Sequence, residues 1–299
     1  MSPRAARTLA QAKINLALRV LGKEPDGGYH SIETVFLRVE LGDDVELRVT
    51  NGRRSLKCYE MRDWPAEGNL AYRAAALFAD ETGWPRGFEI EIVKNIPIGG
   101  GLGGGSADAA SVLRILNALA PKPLSEETLH GLAGRLGSDV PFLASDYAMA
   151  MAWGRGEKLL RLDPLPTRDI QLFFPPYGID TEQAYTLLDE ARGDMPGRTP
   201  ELTTDMFADW DSAARNSVND FEPVIRPRWV EIDTLLTRGA RFGLFYRMSG
   251  SGSTVFKVMG VTTGARDSDA KLPPLVVPAG TRSIVTRTST SVVPIELLD

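Results

Sequence analysis

The amino-acid sequence predicts an α+β chain of two domains with a ligand-binding cleft between them. Three observations carry that expectation. A glycine-dense segment, Gly99 to Gly105, stands between a strand-like run and a helix-like run. Strand alternation and helical periodicity are mixed along both halves of the chain. The length, 299 residues with 43% hydrophobic content, suits about two domains, each with a core.

Six of the seven residues from Gly99 to Gly105 lack a Cβ, so the backbone there can take φ > 0 and lie against a ligand. Before it, residues 88–93 alternate like a half-buried strand. After it, Ala109, Val112, Leu113, Leu116 and Leu119 recur at helical spacing, with the helix expected to begin at Ser106. A strand, a glycine loop and a helix start gather unpaired N–H groups and a positive dipole end, which makes an anion site, most naturally for phosphate. Gly99, Gly101 and Gly104 fit G-x-G-x-x-G, a pattern that alone says little. The P-loop pattern fails because no lysine follows Gly104 or Gly105, so a cation for a triphosphate must come from elsewhere. A mere linker rarely runs directly into so regular a helix.

Taken in order, residues 12–20 read as a strand. Ala12, Ile14, Leu16, Leu18 and Val20 face one way, and Lys13, Asn15, Ala17 and Arg19 the other. Lys13 and Asn15 then project from one side about 6.6 Å apart. Pro25-Asp26-Gly27-Gly28 signals a turn, leaving Tyr29 and His30 just beyond it. Residues 34–39 and 44–49 alternate as further strands, and 69–79 reads as a helix. A second helix spans 125–136, with Ser125 as its N-cap. Residues 147–153 look strand-like, and Gly154-Arg155-Gly156 closes the first half. The first domain is therefore 1–156 and the second 157–299. In the second, 170–174 is a short strand, 181–191 a helix, 192–204 a surface loop and 229–238 a helix. Residues 244–248, the turn 249–253 and 255–258 form strand, loop, strand, and a last strand lies near 283–288.

Composition excludes several classes. No run of about 18 apolar residues exists to span a membrane. The basic start lacks the apolar stretch of a secretion signal. A single cysteine, Cys58, rules out an intramolecular disulfide and points to a reducing, cytoplasmic compartment. A net charge of −5 argues against a nucleic-acid binder. With two histidines and one cysteine a zinc site is disfavoured, and Mg²⁺ carried in with phosphate is the expected metal. Nothing in the sequence signals an oligomeric state.

Five segments in this order resemble a known family. They are Ala12-Lys13-Ile14-Asn15-Leu16, Asp26-Gly27-Gly28-Tyr29-His30, the glycine loop into Ala110, Gly137-Ser138-Asp139-Val140-Pro141-Phe142, and Met248-Ser249-Gly250-Ser251-Gly252. Together they are similar to the 4-diphosphocytidyl-2-C-methyl-D-erythritol kinases, within the superfamily of galactokinase, homoserine kinase, mevalonate kinase and phosphomevalonate kinase (GHMP). The resemblance implies ATP-dependent phosphorylation of the 2-hydroxyl of 4-diphosphocytidyl-2-C-methyl-D-erythritol, in the non-mevalonate route to isoprenoid precursors. It also implies an N-terminal domain like one of a small-subunit ribosomal protein and a ferredoxin-like C-terminal domain.

By the same resemblance Asp139 is the general base and Lys13 its partner, facing the acceptor hydroxyl. From the residues alone, Asp139 reads as a helix cap and Lys13 as a solvated strand lysine. Asn15 would reach the methylerythritol group from the face it shares with Lys13. Tyr29 and His30 would line the cytidine diphosphate pocket, His30 bonding the cytosine edge. Thr181 and Tyr185 fall on one helix face. Tyr185 would stack on the other side of the cytosine, although it could equally pack in the second core. ATP would lie along Pro97, Ile98, Gly99, Gly100, Gly101, Leu102, Gly103, Gly104, Gly105, Ser106 and Ala107, with Lys94 and Asn69 near the adenosine. Ser106 is a candidate Mg²⁺ contact with no clean second ligand, since Asp108 is explained by the helix dipole alone. Gly250 and Gly252 form a second glycine loop, readable as a hairpin turn or a ligand contact.

Two departures from the family pattern stand out. Ser106-Ala107 replaces the usual pair of serines, and Leu244-Phe245-Tyr246-Arg247 is bulkier than the usual Gly-Ala-containing run. Three other readings compete. A sibling kinase acting on homoserine or mevalonate would need no cytosine pocket. A dinucleotide oxidoreductase would need the loop to open a parallel βαβ unit with an acid some 20 residues on, where Glu126 and Glu127 instead begin a helix. A silent nucleotide-binding module would be expected to lack Lys13 or Asp139.

Overall fold

The alternation at 12–20 belongs to a longer strand, β1 (Ala5–Lys23), whose two faces are both largely buried. The computed structural model of the chain describes residues 4–23, 29–59, 65–193, 199–263 and 274–298. The Asp26-Gly27-Gly28 turn, part of the 192–204 loop and all of 24–28 lie outside these. The runs 34–39 and 44–49 are one strand, β2 (His30–Thr50), antiparallel to β1 along its length. Register shifts interrupt that pairing between Gln11 and Lys13, between Asn15 and Ala17, and between Val20 and Gly22. Strict alternation over 12–20 therefore does not hold, because a bulge turns the side chains after it. Lys13 and Asn15 lie between two such shifts and keep a common face.

β2 is long enough to take two further partners on one edge. Its second half pairs with β4 (Gly87–Val93), and its first half with β5 (Met149–Gly154). β3 (Arg54–Cys58) runs parallel to β4, and β6 (Lys158–Arg161) pairs with β5. Across this sheet lie α1 (Leu70–Thr82), capped by Asn69, α2 (Gly104–Leu119), α3 (Glu126–Leu136), capped by Ser125, and a short α4 (Val140–Ala144). α2 packs on β1 with Ala109, Val112, Leu113 and Leu116 fully buried.

The second sheet holds β7 (Asp169–Phe174), β8 (Leu244–Met248), β9 (Val255–Thr262) and β10 (Arg282–Arg287) in the antiparallel order β10-β7-β9-β8. Ile170 and Leu172 of β7 face the core beneath the first sheet. Phe173, on the opposite face, joins a second core with Ala184 and Leu188 of a helix at Thr181–Arg192 and Ile232 and Leu235 of another at Val230–Phe242. Leu18, Val20 and Ile32, at the far end of the β1–β2 hairpin, enter that second core too. Two shorter helices, Trp210–Asn216 and Glu222–Ile225, lie between.

The sheets do not part once at residues 156 and 157. β6 stays with the first sheet, and a last strand at Glu296–Leu298 returns to pair with Ala5–Arg7 of β1. The glycine loop joins β4 to α2 in a mostly antiparallel sheet, so it does not open a parallel βαβ unit. That removes the dinucleotide oxidoreductase reading.

Candidate active site

Helix α2 begins at Gly104, two residues before the expected Ser106, with Gly103 at its N-cap. The bond from Ala107 N–H to the Gly103 carbonyl, 2.8 Å, closes its first turn. The N–H groups of Gly104, Gly105 and Ser106 come before that bond and lack intrahelical acceptors. They face a cleft of about 880 Å³ lined by the whole run 97–106. Ala107, expected beside the phosphates, does not line that cleft: its side chain is buried in the core and its N–H bonds inside the helix.

Glycine is required where the loop meets the second glycine loop. At Gly101, φ is +76°, and a Cβ would sit 2.2 Å from the Ser249 carbonyl oxygen. At Gly103, φ is +72°, and a Cβ would crowd Lys13 at 3.1 Å. Two bonds fasten the loops together: Ser249 Oγ donates to the Gly101 carbonyl at 3.0 Å, and Thr254 N–H to that of Gly100 at 3.2 Å.

Lys13 is no solvated lysine, being only 3% exposed. Its ammonium donates to Asn15 Oδ1 at 2.8 Å and to the Gly101 carbonyl at 3.2 Å, and lies 3.2 Å from Asp139 Oδ2. The Phe36 ring lies 5.4 Å away on another side. Asn15 is itself fixed, because its Oδ1 also accepts from Gly250 N–H at 3.0 Å and its Nδ2 donates to Thr34 Oγ1 at 2.8 Å. Asn15 thus ties the lysine to the second glycine loop.

Asp139 precedes α4 but makes no side-chain capping bond. Its carboxylate turns instead toward Lys13 and lines the cleft. Lys94 also lines the cleft, yet its ammonium is buried between Asp43 and Asp108, 2.7 Å from the latter. Burial, opposed by Lys94 and aided by Asp43, pushes the Asp108 carboxyl up to about 7. Its Oδ1 has no hydrogen-bond partner among the described residues. Asn69 caps α1 by accepting from Ala71 N–H at 2.9 Å, and lines the same cleft.

At the other end His30 and Tyr185 stack directly, with ring centroids 4.5 Å apart and planes 19° from parallel. No base fits between rings that close, so an aromatic ligand would meet the pair from outside rather than lie sandwiched by it. Tyr185 meets Phe221 edge-on as well, joining pocket and core. Burial, then Asp139 and Asp189, raise the Tyr185 phenol to about 12. Asp189 receives His30 Nε2 at 2.8 Å and Lys23 Nζ at 2.7 Å. Burial would raise its carboxyl, but these two hydrogen bonds outweigh it and hold the group below the usual range. Tyr29 is exposed at the rim under the Arg155 guanidinium, 4.0 Å from the ring centroid. Thr181 reaches Ser251 at 3.1 Å.

Several residues that shape the site carry no sequence motif of their own. Asn219 Nδ2 donates to the carbonyls of Met248, at 2.8 Å, and Gly250, at 2.9 Å. Buried Glu222 accepts from Met248 N–H at 2.9 Å and pairs with Arg247 at 3.0 Å. Arg247, part of the bulkier run, thereby braces the second glycine loop from behind. Thr34, Asp43, Asp189 and Arg155 are likewise visible only once the strands are paired.

The sequence pattern of the GHMP kinases N terminal domain matches residues 69–148, from the Asn69 cap through the glycine loop and α4. A 4-diphosphocytidyl-2-C-methyl-D-erythritol kinase of Desulfitobacterium hafniense (strain Y51) is 37% identical over 264 residues, covering 84% of this chain and 86% of that protein. A crystal structure of a 4-(cytidine 5'-diphospho)-2C-methyl-D-erythritol kinase superposes with a TM-score of 0.72 at 32% identity, over 94% of this chain and 98% of the other. A homoserine kinase from Cytophaga hutchinsonii ATCC 33406 superposes with a TM-score of 0.66 at 15% identity, over 100% of this chain and 98% of the other, a likeness of fold alone. Similarity at this level along most of both lengths separates the cytidine-directed enzymes from their siblings, and the chain belongs to the 4-diphosphocytidyl-2-C-methyl-D-erythritol kinase family.

Proposed function

We propose that the chain transfers the γ-phosphoryl group of ATP to the 2-hydroxyl of 4-diphosphocytidyl-2-C-methyl-D-erythritol, within the non-mevalonate route to isoprenoid precursors. The observation that carries the reading is the Lys13–Asp139 pair, 3.2 Å apart, opening onto the same cleft as the unpaired N–H groups of α2. The triphosphate lies along the glycine loop with its anionic oxygens on those N–H groups. The acceptor hydroxyl sits against Asp139, its oxygen attacks the γ-phosphorus, the bond to the β-phosphate oxygen breaks, and the proton passes to the carboxylate. A loose transition state depends on this positioning more than on a strong base. Lys13, desolvated and aimed at the same point, stabilises charge on the transferring group.

Mg²⁺ fits as an ion carried by the nucleotide. Among the described residues no cluster of three or more His, Cys, Asp or Glu is arranged to cage a metal. The Ser106 hydroxyl, at the cleft wall beside the phosphate path, would be its protein oxygen. An ion held there would supply positive charge to offset that of the phosphates. His30, Tyr185 and Thr181 receive the cytidine end, and Asn69 and Lys94 flank the adenosine. No helix among the described residues is long and apolar enough to cross a membrane. A cytoplasmic site of action suits the ATP requirement and a chain with one cysteine.

The test is ADP release with ATP and Mg²⁺, using 4-diphosphocytidyl-2-C-methyl-D-erythritol in one arm and methylerythritol phosphate in the other. Turnover confined to the cytidine compound supports both the transfer and the base pocket. Turnover with homoserine or mevalonate instead would return the chain to a sibling activity.

A further inference from the structure

Arg38, on β2, is among the largest fully buried side chains of the described residues at 2% exposed. A buried guanidinium costs several kcal/mol unless its donors are met, as a rough rule. No carboxylate among the described residues pairs with it. Among the described residues its guanidinium donates to backbone carbonyls: Nε to Tyr147 at 2.9 Å, and Nη2 to Phe142 at 3.0 Å, Leu143 at 2.9 Å and Ser145 at 3.1 Å. Those carbonyls belong to the C-terminal end of α4 and the turn that follows, where a cation is favourable. The residue just before α4 is Asp139.

A second set of contacts ties the same arginine to Lys13. The Arg38 guanidinium lies over the Phe142 ring at 5.0 Å, Phe142 stacks on Phe36 with centroids 5.0 Å apart, and Lys13 lies 5.4 Å from the Phe36 centroid. One column thus runs Arg38–Phe142–Phe36–Lys13, and Phe142 belongs to α4. Asp139 makes no capping bond, and its carboxylate has one polar side-chain partner among the described residues, Lys13. Among the described residues no other side chain holds the carboxylate in place. Its position is inherited from where α4 sits, and α4 is held from its far end.

We propose that Arg38 is a positioning residue for phosphoryl transfer, gripping the C-terminal end of α4 and closing an aromatic column onto Lys13 so that Asp139 and Lys13 meet in register. The inference rests on the kinase reading above. Arg38 touches neither substrate nor nucleotide and acts through α4.

The experiment is steady-state kinetics of Arg38→Met, Arg38→Lys and Phe142→Leu, each assayed below its own melting midpoint. Arg38→Met is expected to lower kcat by about 10- to 100-fold with both KM values within about twofold, as an ångström-scale misplacement does. Phe142→Leu lowers kcat in the same direction by less. In an Asp139→Asn background, Arg38→Met leaves the residual turnover within about twofold, because the group it positions is already disabled. Folded Arg38→Met with the parental kcat, a rise in KM alone, or an equal loss in both backgrounds would overturn the proposal. If Arg38→Met does not fold, Arg38→Lys and Phe142→Leu decide by the same criteria. A parent chain that forms no ADP sinks the kinase reading, whereas an active parent with indifferent variants sinks only the role of Arg38.

Discussion

The ammonium of Lys13 lies 3.2 Å from Asp139 Oδ2, although one stands in the middle of a long strand and the other at the start of a five-residue helix. The lysine is fixed by Asn15 and by the Gly101 carbonyl, while the carboxylate stays partly open to the cleft. That asymmetry suits a held cation beside an aspartate that receives a substrate hydroxyl.

Asp139→Asn keeps the shape of the side chain and removes both its charge and its proton acceptor. Its kcat should fall by about 10²- to 10⁴-fold. ATP affinity, read by calorimetric titration of the same preparation, should hold. Unchanged turnover would take Asp139 out of the proton path.

Gly101→Ala must place a Cβ 2.2 Å from the Ser249 carbonyl oxygen at a left-handed φ. Prying the two glycine loops apart should cost about 2–3 kcal/mol of stability in denaturant melts. Gly105→Ala meets nothing within 4 Å and serves as the control, expected within about 0.5 kcal/mol of the parent. Equal stability for the two variants would mean that the loops do not interlock.

Tyr185→Phe preserves the stack on His30 and the edge contact with Phe221, so KM for the cytidine substrate should hardly move. Tyr185→Ala removes both contacts and should raise that KM by about 10-fold, as loss of an aromatic pair predicts, with KM for ATP unchanged. Equal effects on both KM values would assign Tyr185 to the core instead of the pocket.

Asp189 supplies the pH dependence. Its carboxyl is held below the usual range in the folded state, so its contribution is present above the unfolded carboxylate pKa of about 3.9 and lost as pH falls through the folded value. Thermal midpoints of the parent and Asp189→Asn should therefore differ at pH 7 and converge toward pH 3. A gap that stays constant with pH would place the stabilisation elsewhere.

Local signals were legible where chemistry and period coincide on neighbouring residues. Lys13 and Asn15 share a strand face, and the glycine loop announces itself by missing side chains. Ser125 and Asn69 mark helix starts by their own capping bonds. The period failed where an insertion broke it, as at the bulge after Asn15, and where an element is too short to show one, as in α4. The direct His30–Tyr185 stack was not foreseeable, because the separation of two rings on different elements depends on how a strand end and a helix dock.

By itself, the sequence determined the mixed α+β class, the strand, glycine loop and helix in succession, and the resemblance to the family that singles out Lys13 and Asp139. The class and the loop follow from residues close along the chain, whose spacing sets direction and backbone freedom, whereas Lys13 and Asp139 stand out only through the family resemblance. Tertiary structure decided how those residues are held. It buried Lys94 between two aspartates, turned Ala107 into the core, set Asn219 and Glu222 behind the second glycine loop and placed Arg38 at the end of α4. A buried charge or amide must find partners wherever the fold brings them, and those partners lie far away in sequence.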